Sequence, residues 1–168
     1  MITIKFKTDK LKPELEKILD SAMDDIADLV VDKADETLND PDPKVGAFDR
    51  GFLAASLVTD KDEFLNKEVG AEAPYAIWIE YGTDPHYPPL EPIYDWVWRK
   101  RNDLNIKYNE NNKTIGFDGR EYITEILRVA QNIIWKIGRQ GTEPKPFLRP
   151  ALQYGRKETK RIIEGKFR

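Results

Sequence analysis

His86 is the single histidine of the chain, Ser21 and Ser56 are its two serines, and cysteine is absent. One imidazole cannot build a multi-histidine metal site. A serine nucleophile needs a base within hydrogen-bond reach and an acid to orient that base. Ser21 falls in a helical stretch and Ser56 in an expected strand, and neither has the sharp strand-to-helix turn that exposes a nucleophile. Without cysteine there is no thiolate for catalysis or metal binding and no disulfide. Neither phosphate-cradling glycine loop, G-x-x-x-x-G-K-[ST] or G-x-G-x-x-G, occurs. Carboxylates are the one abundant chemical resource. Asp84, Glu91 and Asp95 lie close in sequence, but among thirty acidic residues such spacings arise by chance, and solvated helix faces account for them. The residue types point away from catalysis, with no catalytic, metal-binding or cofactor-binding residue to name and no cofactor expected.

What remains distinctive is charge. The net charge is −3, yet residues 9–42 hold twelve acidic and four basic side chains, and residues 139–168 hold nine basic and three acidic. Three readings stand open: two solvated helix faces, head-to-tail association in which acidic and basic faces of neighbouring subunits meet, or a nucleic-acid footprint, which the modest total charge disfavours. The basic residues of the last segment, among them Lys157, Lys160 and Arg161, have no aromatic platform interleaved before Phe167. Trp78, Trp96, Trp98 and Trp135 gather around a proline-rich connector. Trp96 and Trp98 lie two apart and cannot share one helix face, so one of them is expected to face away from the local core. They are a packed aromatic base or an exposed anchor of the kind that dominates protein interfaces.

The elements that must position these residues follow from periodicity. Ile2, Ile4 and Phe6 alternate with polar residues as a short strand. A long amphipathic helix, about 10–38, starts near Pro13 and is stopped by Asn39-Asp40-Pro41-Asp42-Pro43. Phe52 to Thr59 and Phe64 to Gly70 read as a β-hairpin around Asp60-Lys61-Asp62-Glu63. Tyr75 to Ile79 is a third strand or a short helix; Pro74 before it and Gly82 after it favour the helix. Beyond Pro85, Pro88 and Pro89 come a helix over 92–104, a polar loop or weak hairpin over 105–119, a helix over 119–137 capped by Asp118 and ended by Gly138, and a last helix over 150–166. Gly82-Thr83-Asp84-Pro85 is echoed by Gly141-Thr142-Glu143-Pro144, two helix exits of similar chemistry. Met1 to Lys7 lack the apolar core of a signal peptide. No run approaches the ~18 to 20 apolar residues of a membrane span.

Two segments together resemble a family. Tyr75-Ala76-Ile77-Trp78-Ile79-Glu80-Tyr81-Gly82-Thr83 and Lys145-Pro146-Phe147-Leu148-Arg149-Pro150-Ala151-Leu152 look like the "YA…E[YF]GT" and "PFLRPAL" motifs of the tail-component family of long-tailed bacteriophages, which includes tail-completion, head–tail joining and neck proteins. Upstream, the stretch from Asp49 to Leu57 is similar to that family's "TGxLRxSI", with Asp49 and Arg50 replacing the usual start and Ala54-Ala55 the residues before Ser56. The resemblance implies a non-catalytic virion subunit, made in the bacterial host cytoplasm, that forms a homo-oligomeric ring with other neck and tail proteins. DNA would pass through without tight binding, and no membrane is involved.

The expectation is an α+β fold: a small antiparallel β-sheet packed by a long N-terminal helix and a C-terminal helix. Residues 1–168 form a single tail-completion-like domain, with 84–140 inserted as a helix–loop–helix excursion. Tyr75, Ala76, Glu80, Tyr81, Gly82, Thr83, Pro146, Phe147, Leu148 and Pro150 form the structural motif, with Pro146 and Pro150 fixing the chain around Phe147 and Leu148. Trp96, Trp98, Lys157, Lys160 and Arg161 are the candidate interface. The rival functions are a nucleic-acid-binding module using the basic C-terminal helix and a carboxylate-dependent hydrolase.

Overall fold

The computed structural model describes residues 11–42, 46–47, 51–63, 65–116 and 118–167. The expected strand over Ile2, Ile4 and Phe6 lies outside them, as do Pro43, Asp49 and Arg50. The fold is α+β, with long N-terminal and C-terminal helices and two small antiparallel sheets. Backbone contacts divide the chain into two compact units, residues 1–81 with 144–168, and residues 82–143.

In the first unit, α1 (Leu11–Leu38) buries Ala22, Ala27, Val30, Ala34 and Leu38 along one face. Their spacing of three to five residues follows the helical repeat. Helix α5 (Leu148–Lys166) packs along α1. Small residues permit the close approach: Ala34 and Ala151 are fully buried, and a Cβ on Gly155 would lie 2.5 Å from Val30 Cγ2. Strands β1 (Leu57–Glu63) and β2 (Asn66–Ala71) pair antiparallel, Leu57 opposite Ala71 and Thr59 opposite Val69, with a bulge between Asp60 and Glu63. Lys67 fastens β2 to α1. Its side chain is 3% exposed and reaches Asp20 at 2.9 Å and Asp24 at 3.2 Å. The core joins Val30, Ala34, Leu38, Leu53, Ala76, Phe147 and Ala151.

The second unit has its own core of Val97, Ile126 and Ala130, all wholly buried. It is built from α3 (Leu90–Lys100), α4 (Thr124–Gln140) and the hairpin β3 (Lys113–Ile115) with β4 (Glu121–Ile123). Tyr94 lies edge-on to Tyr122 at 4.7 Å and Trp98 to Tyr108 at 5.4 Å. The Ile123 N–H donates to the Tyr94 hydroxyl at 3.0 Å.

Several boundaries differ from the sequence expectation. The first hairpin sits later: Ala54–Ser56 is a single 3-10 turn, and the charged tetrad 60–63 is strand, so the reversal falls between Glu63 and Asn66. A two-stranded ribbon tolerates charged residues along its edges. Leu65 is held there at φ 58° with its N–H on Asp20 at 3.0 Å. The polar stretch 105–119 contains a strand, and residues 121–123 are its partner, not the start of a helix. Asp118 therefore caps no helix. It accepts from the Arg120 N–H at 3.2 Å and from the Tyr122 hydroxyl, closing the β3–β4 turn. Gly138 does not end α4. A Cβ there would strike the Tyr87 ring at 2.3 Å, and the helix runs on to Gln140, with Gly141 at φ 71° as its exit. Helix α3 begins at Leu90 and α5 at Leu148, each two residues earlier than expected, because Pro92 and Pro150 fit inside a first turn where no N–H partner is needed.

Candidate functional site

The two sequence motifs meet at one buried carboxylate. Glu80, 4% exposed, lies on α2 (Ala76–Tyr81) and faces the start of α5. Its Oε2 accepts the Phe147 N–H at 2.7 Å and the Leu148 N–H at 2.9 Å, and its Oε1 the Arg149 N–H at 3.1 Å. A helix start leaves four N–H groups without partners in the helix. Here three go to Glu80, and the fourth position is Pro150, which has none to satisfy. Arg149 completes the arrangement, with Nε to Oε1 at 2.8 Å and Nη2 to the Glu80 carbonyl at 2.7 Å. Burial pushes the Glu80 carboxyl up. The Leu148 N–H, the Arg149 side chain and the N–H groups of Phe147 and Arg149 together outweigh burial and hold it below its ordinary value. The Lys145 N–H adds a bond to the Ile79 carbonyl at 2.8 Å. Phe147, 1% exposed, sits in the core and Leu148 packs against it half-buried.

Ala76 and Glu80 face inward and Ile79 packs half-buried against the core, while the other three residues of α2 are turned outward. Ile77, Trp78 and Tyr81 are 59%, 57% and 61% exposed. Ile77 and Tyr81 lie four apart and Trp78 and Tyr81 three apart, so the three form one surface on the short helix. The Arg149 guanidinium lies over the Tyr81 ring at 4.6 Å. Tryptophan, tyrosine and arginine are the residue types that carry most energy in protein interfaces. Here they sit on a rigid base, because the lock at Glu80 fixes the helix behind them.

Other candidate residues fall elsewhere. Trp96 and Trp98 are both half-buried around Val97, Ile126 and Ala130; neither faces away, because α3 is wrapped by α4 on one side and by Ile106 and Tyr108 on the other. The exposed tryptophans are Trp78 and Trp135. Lys157, Lys160 and Arg161 are exposed on α5, with Lys160 3.7 Å from Glu164 and Arg161 beside Glu158. Part of the charge asymmetry is spent within the unit, where Lys166 pairs with Asp25 at 2.7 Å. The two Gly-Thr segments pair with each other: Thr83 and Thr142 exchange backbone hydrogen bonds at 3.2 Å in each direction, and their hydroxyls are 3.1 Å apart. Gly82 and Gly141 both have φ above 70°, and a Cβ on Gly141 would lie 1.8 Å from the Thr83 carbonyl oxygen, so no side chain fits.

The residues weighed for chemistry are engaged locally. His86 Nδ1 is 2.9 Å from the Asp84 carbonyl, Ser56 donates to the Leu53 carbonyl, Ser21 accepts from Lys166, and Glu91 pairs with Arg120. Among the described residues no group of three or more His, Asp or Glu could hold a metal ion. No helix among them is long and apolar enough to cross a membrane.

Sequence reasoning placed Glu80 in the motif and missed what it does. The signal was available: Phe147 precedes α5 where Ser, Thr, Asp or Asn would ordinarily cap, so the acceptor has to come from another part of the chain.

Residues 3–82 match the model of a family described as "Bacteriophage HK97-gp10, putative tail-component". The matched stretch ends at Gly82, the exit of α2. It fits a tailed-phage tail-component family and a structural phage tail protein in general terms. No curated protein and no solved structure matches the chain.

Proposed function

We propose that this chain is a non-catalytic virion subunit of a tailed phage or prophage that completes the tail at the head–tail junction. In this reading it is made in the host cytoplasm and assembles as a homo-oligomeric ring with other neck and tail proteins, with DNA passing through and not gripped. Residues 1–168 act as one tail-completion-like domain carrying 84–140 as an excursion. The observation that carries the reading is the outer face of α2, where Ile77, Trp78 and Tyr81 stand exposed on a helix whose inner face is locked by Glu80. A motif that uses its buried carboxylate to cap a helix is architectural, and the apolar face it steadies is suited to docking a protein partner. The basic end of α5, with Lys157, Lys160 and Arg161, adds electrostatic steering.

The test is electron microscopy of purified protein incubated with tails that lack this subunit. Rings at the head-proximal end of the tail are expected from the wild type. Trp78→Ala with Tyr81→Ala should fold normally and fail to bind. Tails left bare by the wild-type protein, or decorated equally by the variant, would refute the assignment of this face.

A further inference from the structure

The outward face of α4 is cationic from Arg128 to Arg139. Arg128, Asn132, Trp135, Lys136 and Arg139 are all exposed, and their spacing places them on one stripe, opposite the buried Ile126 and Ala130. No acidic residue interrupts it. Among the described residues no ion pair engages Arg128, Lys136 or Arg139; the Arg139 guanidinium lies 5.8 Å over the Trp135 ring. One carboxylate, Glu125, sits on the same side one turn before Arg128, feels its charge and is bonded to Asn112 at 2.8 Å, so the cationic stretch begins at Arg128.

Helix α1 carries the complement. Asp25, Asp28, Asp32 and Glu36 are exposed along the side opposite Val30 and Ala34, with Leu29 half-buried among them. Both stripes span eleven residue steps, 128 to 139 and 25 to 36, or about 16 Å of helix. Laid antiparallel, they put Arg128 against Glu36, Asn132 against Asp32, Trp135 against Leu29, Lys136 against Asp28 and Arg139 against Asp25. Asp25 and Glu36 also hold Lys166 and Lys33, which orders their carboxylates on the stripe.

We propose that α4 of one copy docks antiparallel on α1 of a second copy. The contact uses two different surfaces, so it is head-to-tail and propagates around a ring. It rests on the assembly reading above and supplies that reading with a specific subunit contact. A nucleic-acid strand could satisfy the cations and stack a base on Trp135, but the chain's net charge of −3 opposes it, and α1 matches the stripe position by position.

The experiment is sedimentation velocity on the full chain from about 0.02 to 0.5 M salt. The expected result is association that weakens with salt and falls at least about tenfold in Arg128→Glu/Lys136→Glu/Arg139→Glu. The complementary variant Asp25→Lys/Asp28→Lys/Glu36→Lys should lose association as well. Mixing the two variants should restore it, because each then offers the other a matched pair of faces; this rescue also shows that both are folded. Failure of the mixture to associate overturns the proposal, as does wild-type association that the α4 variant leaves unchanged. If association survives the α4 changes but is lost in Trp78→Ala, the contact is wrong and the assembly reading stands. A wild-type chain that stays monomeric and leaves tails bare overturns both. If a fluorescent thymidine oligonucleotide binds the wild type and not the α4 variant, while association is the same in both, the stripe belongs to nucleic acid and the proposal falls.

Discussion

The two units start their main helices in different ways. In the first, the N-terminus of α5 is satisfied by Glu80, 67 to 69 residues earlier in the chain. In the second, α4 grows straight out of β4, and its first turn is tied to the preceding loop: the Thr124 N–H donates to the Asn112 carbonyl at 2.9 Å and Asn112 donates to Glu125. Unit one needs both ends of the chain before its core can close, because Phe147 and Ala151 must reach Val30 and Ala34. Unit two closes its core between residues about 30 apart, Val97 with Ile126 and Ala130. Local contacts form sooner and at lower entropic cost than distant ones, so unit two is expected to be the independent folder and unit one the dependent one.

The comparison can be broken most directly at the two cores. Phe147→Ala should destabilise the protein by about 3 to 5 kcal/mol. Amide exchange should show the loss confined to α1, α5 and β1–β2, with Val97, Ile126 and Ala130 still protected. Loss of protection in both units would mean one cooperative structure. The reciprocal change, Ile126→Ala, should cost about 2 to 5 kcal/mol and leave Val30 and Ala34 protected.

A smaller effect sharpens the role of the remote cap. Glu80→Gln keeps one acceptor and loses the charge, at about 1 to 3 kcal/mol near neutral pH. The acid limb should change too. The folded carboxyl lies below its ordinary value of 4.5, so its contribution is complete above that value and is lost as pH falls through the folded pKa. Asp20, lowered by the Leu65 N–H and then by Lys67, acts in the same direction. Urea melts from neutral to acid pH should show unit one weakening as pH falls, and less steeply in Glu80→Gln. An identical pH profile in the variant would remove Glu80 from the account.

The smallest expected effect is at the end of α5. Reversing Lys157, Lys160 and Arg161 to Glu should alter folding stability by about 1 kcal/mol or less, since exposed pairs with Glu158 and Glu164 are weak. Association should become slower and less salt-dependent without being abolished. If this triple change abolishes assembly and the α4 reversal does not, then α5 and not α4 carries the subunit contact.

Much of unit one was legible because its signals are local or repeated. The length of α1, its stop before Pro41 and the exit of α2 at Gly82 can each be read within one or two turns. The partner of the α5 N-terminus could not be, because capping chemistry is usually sought within four residues and Glu80 is far outside that window. In unit two the failure was one of period. Glu121-Tyr122-Ile123 continues the apolar spacing of α4, so a three-residue strand was absorbed into the helix, and Asp118 was read as a cap when it closes a β-turn. The tryptophans were misjudged because separation by two on one helix does not expose a side chain when neighbours cover both flanks.

The bridge between Thr83 and Thr142 has a further consequence. Residues 82–143 leave and rejoin the rest of the chain beside a single bridged pair, Thr83 and Thr142, so their ends stand only about 5.5 Å apart, the spacing of a bonded antiparallel pair. To the remainder of the protein, sixty-odd residues occupy the place of a tight turn. Any segment whose ends meet in the same way could be exchanged there by recombination between genomes. The whole surface of that unit would then change in one genetic event while the helix-capping lock at Glu80 stays untouched.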